Sequence, residues 1–268
     1  MKKLLILTAI IGTFVIGFYF YFHHVGRLRP HVNETFIVSA HIPAPFDGAR
    51  IVQISDLFIR SEACLTLLEH VVETVNHLNP DLIVFTGNLF SPLGLVYENS
   101  VTYLLEQLQA NFAKIAILGD HDLTHQTLTT QVLTSVGFRL LNNESVQVFN
   151  QSPLGLNLIG AHPTNDRQDM EKLLHMHIHD MRFNLLLTSL PTFSNMAFDY
   201  NLHVQLSGHC LGLADTRSPS APCFQFYDGT YQFADRFTLH VSHGLARFHT
   251  FSHLFRQPSI DSFLLIRE

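Results

Sequence analysis

The chain is 268 residues long and 47% hydrophobic, enough for one sizeable core but too little for two. Only 14% of its residues are charged and the net charge is −6, so it offers no basic face to a nucleic-acid backbone. None of its three cysteines, Cys64, Cys210 and Cys223, lies in a Cys-x-x-Cys pair, which disfavours a zinc knuckle; Cys210 and Cys223 are able to pair in an oxidising compartment, though nothing in the sequence requires it.

At the start, Lys2 and Lys3 precede Leu4–Phe22, nineteen residues without a charge. A helix of that length, rising about 1.5 Å per residue, just spans a bilayer core of about 30 Å. The run ends in Phe18-Tyr19-Phe20-Tyr21-Phe22, an aromatic belt rather than a small-x-small cleavage site. Residues 1–25 therefore read as an uncleaved transmembrane signal anchor, with a cleaved signal peptide as the rival. The lysines place the N-terminus inside and the rest of the chain on the extracytoplasmic side of a membrane; Arg27 and Arg29 count against that orientation. Residues 26–48 are a linker and a first strand, Thr35–His41, closed by turns at Pro43-Ala44-Pro45 and Asp47-Gly48.

A single domain, 49–268, follows. Arg50–Ser55 reads as a strand that ends at Asp56. Glu62–Leu78 is helical, with Leu65, Leu68, Val72 and Val75 on one face and Pro80 closing it. Asp81–Thr86 is a buried strand ending at Gly87-Asn88, and Val101–Phe112 is helical again. The stretch Ile115–Asp122 is a third buried strand that stops at Gly119 and then presents Asp120, His121 and Asp122. This βα rhythm predicts an α/β domain whose polar groups emerge at the carboxyl ends of strands. Farther on, Thr127–Val136 and Asp169–His177 are helical. Phe138–Leu141, Val146–Phe149, Leu156–Gly160, Phe183–Leu187, Leu202–Leu206, Phe237–Val241 and Ser262–Ile266 are strands. Two of these again end in polar positions, Ser189 and His209. His175 and His179 have the i, i+4 spacing of a two-histidine metal site, but no third ligand accompanies them, and a solvated helix end is the simpler reading.

The order and spacing of Asp56, Asn88, Asp120-His121-Asp122, Ser189 and His209 resemble the calcineurin-like metallophosphoesterase family, from Thr35 to Glu268. The turn Pro45–Gly48 and the phrase His240-Val241-Ser242-His243-Gly244-Leu245 are similar to its membrane-anchored, phosphodiesterase-like branch. The resemblance implies a four-layer αββα sandwich of two mixed β-sheets flanked by helices. It also implies a hydrolase with two metal ions that clamp a phosphate and activate a water.

The family's ligands are incompletely matched. Asp56 is followed by Phe58 where the family has histidine. Asn88 stands where the bridging aspartate belongs, and Asp120 where it has asparagine. Ser189 and Leu211 replace two further histidines. The first metal is left with Asp56 and a neutral Asn88, too few for a stable site. The second keeps Asn88, Asp120 and His209. The metal candidates are thus Asp56, Asn88, Asp120 and His209, holding one divalent ion (Mn, Fe or Zn) rather than a dinuclear centre. His121 matches the family's histidine that stabilises charge on the substrate or leaving group, and Asp122 the acid that orients it; a hydrogen-bonded loop clasp is the alternative role for the pair. The expectation is a membrane-anchored protein of this fold, weakly active or inactive as a phosphohydrolase. The alternative is a residual single-metal phosphoesterase acting on a phosphate-containing, lipid-linked ligand.

Overall fold

The computed structural model describes residues 8, 10–15, 17, 29–151, 153–163, 166–234, 236–246 and 257–268. Much of the expected anchor, Leu4–Phe22, lies outside them. Among the described residues no helix is long and apolar enough to cross a membrane.

Among the described residues twelve strands build two six-stranded mixed sheets. The first runs β1 (His31–Val38), β12 (Ser259–Ile266), β2 (Arg50–Ile54), β3 (Leu82–Phe85), β4 (Ala113–Ala116), β5 (Phe138–Leu140), parallel except between β12 and β2. The second runs β10 (Gly229–Phe233), β11 (Phe237–Val241), β9 (Val204–Ser207), β8 (Phe183–Leu187), β7 (Leu156–Gly160), β6 (Glu144–Val148). Its two outer pairs are antiparallel and its centre parallel.

Side-chain alternation along the strands explains the layers. Ile51, Leu82, Val84 and Ile115 face the second sheet and pack with Leu158, Leu185 and Leu206. Their neighbours Val52, Ile54, Ile83 and Phe85 face outward onto α1 (Glu62–His77), α2 (Glu98–Glu106) and α3 (Gln126–Ser135). The far face of the second sheet carries α4 (Arg167–His177), through Met170, Leu173 and Leu174. Strands buried on both faces read in sequence as mainly apolar runs, which is why β2, β3 and β8 were visible there; β4 is Ala113–Ala116, starting two half-buried residues ahead of the run expected from Ile115.

Four sequence expectations are corrected. The first strand is His31–Val38, not Thr35–His41, because it pairs residue for residue with β12, from His31 with Ser259 to Val38 with Ile266. The last strand accordingly begins three residues earlier than Ser262, through a buried acid, Asp261, that interrupts the apolar pattern. Strand β10, with its alternately exposed Thr230 and Gln232, has no apolar run to announce it. Finally, α4 ends at His177 and Ile178 is already extended, so His175 and His179 do not share a helix face. His177 hydrogen-bonds Ser145 Oγ at 3.0 Å and His179 contacts Gln147 Nε2 at 3.3 Å. Cys210 and Cys223 form a disulfide, and Cys64 is buried and unpaired.

Candidate metal centre

The register that sets Ile54 beside Phe85, and Phe85 beside Ala116, brings the ends of β2, β3 and β4 level. β9 delivers Gly208-His209 to the same edge, where the His209 N–H bonds Asp56 Oδ2 at 2.9 Å. The loops approach so closely that a side chain at Gly87 would collide with the Gly119 backbone, and one at Gly119 with Asn88. Backbone strain concentrates here. Asp56, Phe58, Asn88, His209 and Leu211 all hold positive φ, between 43° and 70°. Each such residue costs on the order of 1–3 kcal/mol, and this kind of strain clusters at functional sites.

Asp56 is wholly buried. It accepts from Ser55 Oγ at 2.6 Å, Asn88 Nδ2 at 2.8 Å and the His209 amide. Burial pushes its carboxyl above the usual carboxylate range despite these three donors. Asn88 is fully engaged. Its Oδ1 accepts the His121 N–H at 3.1 Å, which turns its Nδ2 toward Asp56 and, at 3.4 Å, toward Asp120 Oδ1. The amide therefore donates to the two acids that flank it, and its oxygen accepts the His121 backbone N–H.

Asp120, His121 and His209 lie on the outer side of Asn88. Each offers a ligand atom within 4.8 Å of the others. His209 Nδ1 is 2.8 Å from Asp120 Oδ1, and His121 Nε2 is 3.7 Å from Asp120 Oδ2. Partial burial raises the Asp120 carboxyl, but the hydrogen bond and charge of His209, the charge of His121 and the Asn88 amide outweigh it and hold the group below its usual range. For His209 burial works downward, and the hydrogen bond and charge of Asp120, with the charge of Asp56, raise the imidazole above its usual value. Both shifts favour an imidazolium–carboxylate pair in the metal-free protein. The half-exposed His121 ring stacks near His209 at 6.0 Å and meets the Phe58 ring edge-on at 4.9 Å.

Asp122 is a clasp. Its Oδ2 accepts from the Asn88 and Gly119 amides at 2.7 and 2.8 Å, and its Oδ1 from Leu89 at 2.9 Å. Both oxygens are spent on backbone N–H groups that fasten the β4 loop to the β3 loop. Ser189 is buried, and its Oγ has no hydrogen-bond partner among the described residues. Leu211 lies with its Cδ2 beside Gly244, which also packs on Asp56 Cβ.

Sequence reasoning missed one buried polar cluster. Asp261 accepts from Asn33 Nδ2 at 2.9 Å and from Ser242 Oγ at 2.5 Å, with His240 Nε2 3.3 Å away. Burial raises its carboxyl, but the charge and hydrogen bond of His240, with Ser242 and Asn33, more than reverse this and lower it. The available signal was an acid, flanked by Ile260 and Ser262, at the start of a strand whose second half is apolar.

The metal fit divides the centre. A dinuclear site does not fit, because Phe58 and Leu211 bring hydrocarbon and Asn88 presents N–H rather than oxygen toward Asp56. A single divalent ion does fit the donor set of Asp120, His121 and His209.

Comparison with known proteins bears on the same residues. YkuE, an uncharacterized metallophosphoesterase of Bacillus subtilis, is 34% identical over 199 residues, covering 69% of this chain and 67% of that protein. UDP-2,3-diacylglucosamine pyrophosphatase LpxG of Chlamydia muridarum is 31% identical over 119 residues, 43% of this chain and 35% of the enzyme. A transmembrane protein with metallophosphoesterase domain from Bos taurus is 26% identical over 247 residues, 83% of this chain and 54% of its own length. The chain thus spans about two thirds, one third and half of these relatives. Residues 49–210 match the calcineurin-like phosphoesterase family. That stretch takes in Asp56, Asn88, Asp120, Ser189 and His209, every strand end that builds the centre, and the chain belongs to the calcineurin-like phosphoesterase family.

Proposed function

We propose that this is a membrane-anchored member of the family whose two-metal site is eroded, leaving it weakly active or inactive as a phosphohydrolase. The observation that carries this reading is the Asn88 amide, which donates to Asp56 and Asp120 at the place where the resemblance expects a bridging carboxylate. The anchor is supported by the charge-free run Leu4–Phe22 and by relatives named as transmembrane proteins. The Cys210–Cys223 disulfide supports an oxidising, extracytoplasmic location for the domain.

The second reading, a residual single-metal phosphoesterase, is favoured by the Asp120–His121–His209 triad. Asp120 and His209, with Asn88, would hold the ion while His121 stays off it, and a bound divalent ion would supply Lewis-acid polarisation of a phosphoryl oxygen. His121, half exposed beside Asp120 and His209 and left off the ion in this reading, would give a proton to a departing oxygen. Asp122 holds the loop that carries it. A lipid-linked phosphate ester is the substrate class that an anchored site would meet; the Chlamydia relative is named for a diacylated sugar nucleotide.

The deciding experiment is metal analysis of the full-length chain in detergent, with hydrolysis of bis(p-nitrophenyl) phosphate in added manganese. The first reading expects at most one equivalent of metal and hydrolysis no faster in wild type than in His209→Ala. One bound equivalent together with turnover abolished by His209→Ala would overturn it in favour of the second.

A further inference from the structure

The loop edge that carries the centre is rimmed by apolar side chains turned outward. Between β3 and α2 the chain makes a short 3-10 helix, Pro92–Tyr97. Leu93 is 77% exposed and Val96 82%, while Leu95 between them packs against the core beneath α1 and α2. Leu123, the residue after the clasp Asp122, is exposed as well. Across the centre, the disulfide fastens Cys223 beside Cys210, the residue after His209. Phe224 and Tyr227, which follow, are also exposed.

These side chains stand on a firm support. The Ile59 N–H bonds the Leu89 carbonyl at 2.9 Å, and the Ser91 N–H bonds the Ile59 carbonyl at 3.0 Å, so the loops after β2 and β3 run side by side past the centre. Gly94 then sits so close that a side chain there would collide with the Ile59 carbonyl oxygen. The Phe90 ring meets His125 edge-on at 6.4 Å, which ties this turn to the loop that carries Leu123. The backbone is thus held in place while Leu93 and Val96 keep their apolar area in water, an arrangement with a free-energy cost that a docked apolar phase removes.

Exposure alone does not choose what covers this rim. Met181 is 87% exposed just ahead of β8, and β8 runs parallel to β9, so Met181 lies at the edge opposite His209. The route of the chain makes the choice. β12 runs antiparallel to β2, and β1 begins with His31 paired to Ser259, so the chain enters the domain at the loop edge. The charge-free run Leu4–Phe22 ends only eight residues before that point. A bilayer holding the run would lie against the rim and away from Met181. The net charge of −6 gives no pull toward an anionic lipid surface, which leaves apolar contact as the means of docking.

We propose that this rim is a second membrane contact, in which Leu93, Val96 and Leu123 seat in the interfacial layer of a phospholipid bilayer and hold the centre against it. The proposal rests on reading Leu4–Phe22 as an anchor, and its test separates the two. The chain contains no tryptophan, so each one introduced reports alone. Full-length Leu93→Trp, Val96→Trp, Met181→Trp and Phe14→Trp would be reconstituted in vesicles of phosphatidylcholine, either plain or brominated on its acyl chains, and their emission compared. Bromine quenches an indole that touches the acyl layer. It is expected to lower emission roughly twofold or more at Phe14→Trp and at Leu93→Trp or Val96→Trp, and to leave Met181→Trp unchanged. Quenching at Phe14→Trp alone would overturn the second contact and keep the anchor. Quenching at Leu93→Trp or Val96→Trp without Phe14→Trp would keep the contact and overturn the anchor. Equal quenching at Met181→Trp would overturn docking by the loop edge. Blue-shifted emission at Leu93→Trp and Val96→Trp that bromine leaves unchanged would assign the rim to a second copy of the chain and overturn the proposal. Silence at all four positions would overturn both readings.

Discussion

The two sides of Asn88 differ in what their side chains can do and agree in how their backbone is built. Inward, Asp56 is buried, hydrogen-bonded by three donors, with Leu211 hydrocarbon close by. Outward, Asp120, His121 and His209 are partly exposed and converge. Yet Phe58 and Leu211 hold the same left-handed backbone as Asp56, Asn88 and His209. For a bulky side chain that conformation costs roughly 1–2 kcal/mol per residue. The shape of the cleft is thus a property of strand ends and glycine-tight loops, and it persists where the side chains have no metal chemistry to offer.

The largest test of this contrast rebuilds the inner side. Phe58→His, Asn88→Asp, Asp120→Asn, Ser189→His and Leu211→His together should raise metal content to two equivalents by elemental analysis, and raise phosphodiester hydrolysis roughly 100-fold. No added metal would mean that the inner backbone does not in fact hold a ligand geometry. Next comes the clasp that holds the loop of the outer side. Asp122→Ala strands three backbone N–H groups and should cost about 3 kcal/mol in urea unfolding; a change under 1 kcal/mol would remove the clasp role. A smaller effect is expected of Asn88→Asp alone. It sets a third carboxylate against Asp56 and Asp120, and should lose about 2 kcal/mol in EDTA and regain it with manganese. Equal stability with and without the metal would contradict the role given to the amide.

The weakest effect is a difference in pH sign. The Asp56 carboxyl is raised in the fold, so its contribution to stability grows as pH falls through that raised value toward 3.8. The Asp120 carboxyl is lowered, so its contribution is present above 3.8 and lost as pH falls through the lowered value. The His209 imidazole is raised, so its contribution is complete below 6.5 and fades as pH rises through the raised value. Denaturation midpoints followed from pH 3 to 8 should flatten at the acid end in opposite senses for Asp56→Asn and Asp120→Asn. Curves that shift in the same sense would show the two sides to be one electrostatic unit.

Much of this was legible in the sequence, for a definite reason. Strands buried on both faces announce themselves as apolar runs, so β2, β3 and β8, and the polar residues after them, could be placed without coordinates, while β4 was set two residues late because it opens on Ala113 and Lys114. Edge strands carry no such run, which hid β10 and shifted β1. The orientation of the Asn88 amide was not legible at all, because it depends on which neighbour claims its oxygen, and that neighbour is a backbone N–H thirty-three residues away. Nor could Asp122 be divided between orienter and clasp until the loops were brought together.

β1 begins at His31, at the loop edge, and pairs along its whole length with the last strand. Only eight residues, and so nine Cα–Cα steps, separate Phe22, the end of the charge-free run, from His31. Fully stretched, nine such steps reach roughly 30 Å. Under the proposed anchoring of Leu4–Phe22 in a bilayer, the domain would be on a short leash fastened at the loop edge, and that edge could not swing far from the lipid surface. The lipid-linked substrate of the proposed phosphoesterase reading would then arrive at the cleft by lateral diffusion, already concentrated and already turned head outward.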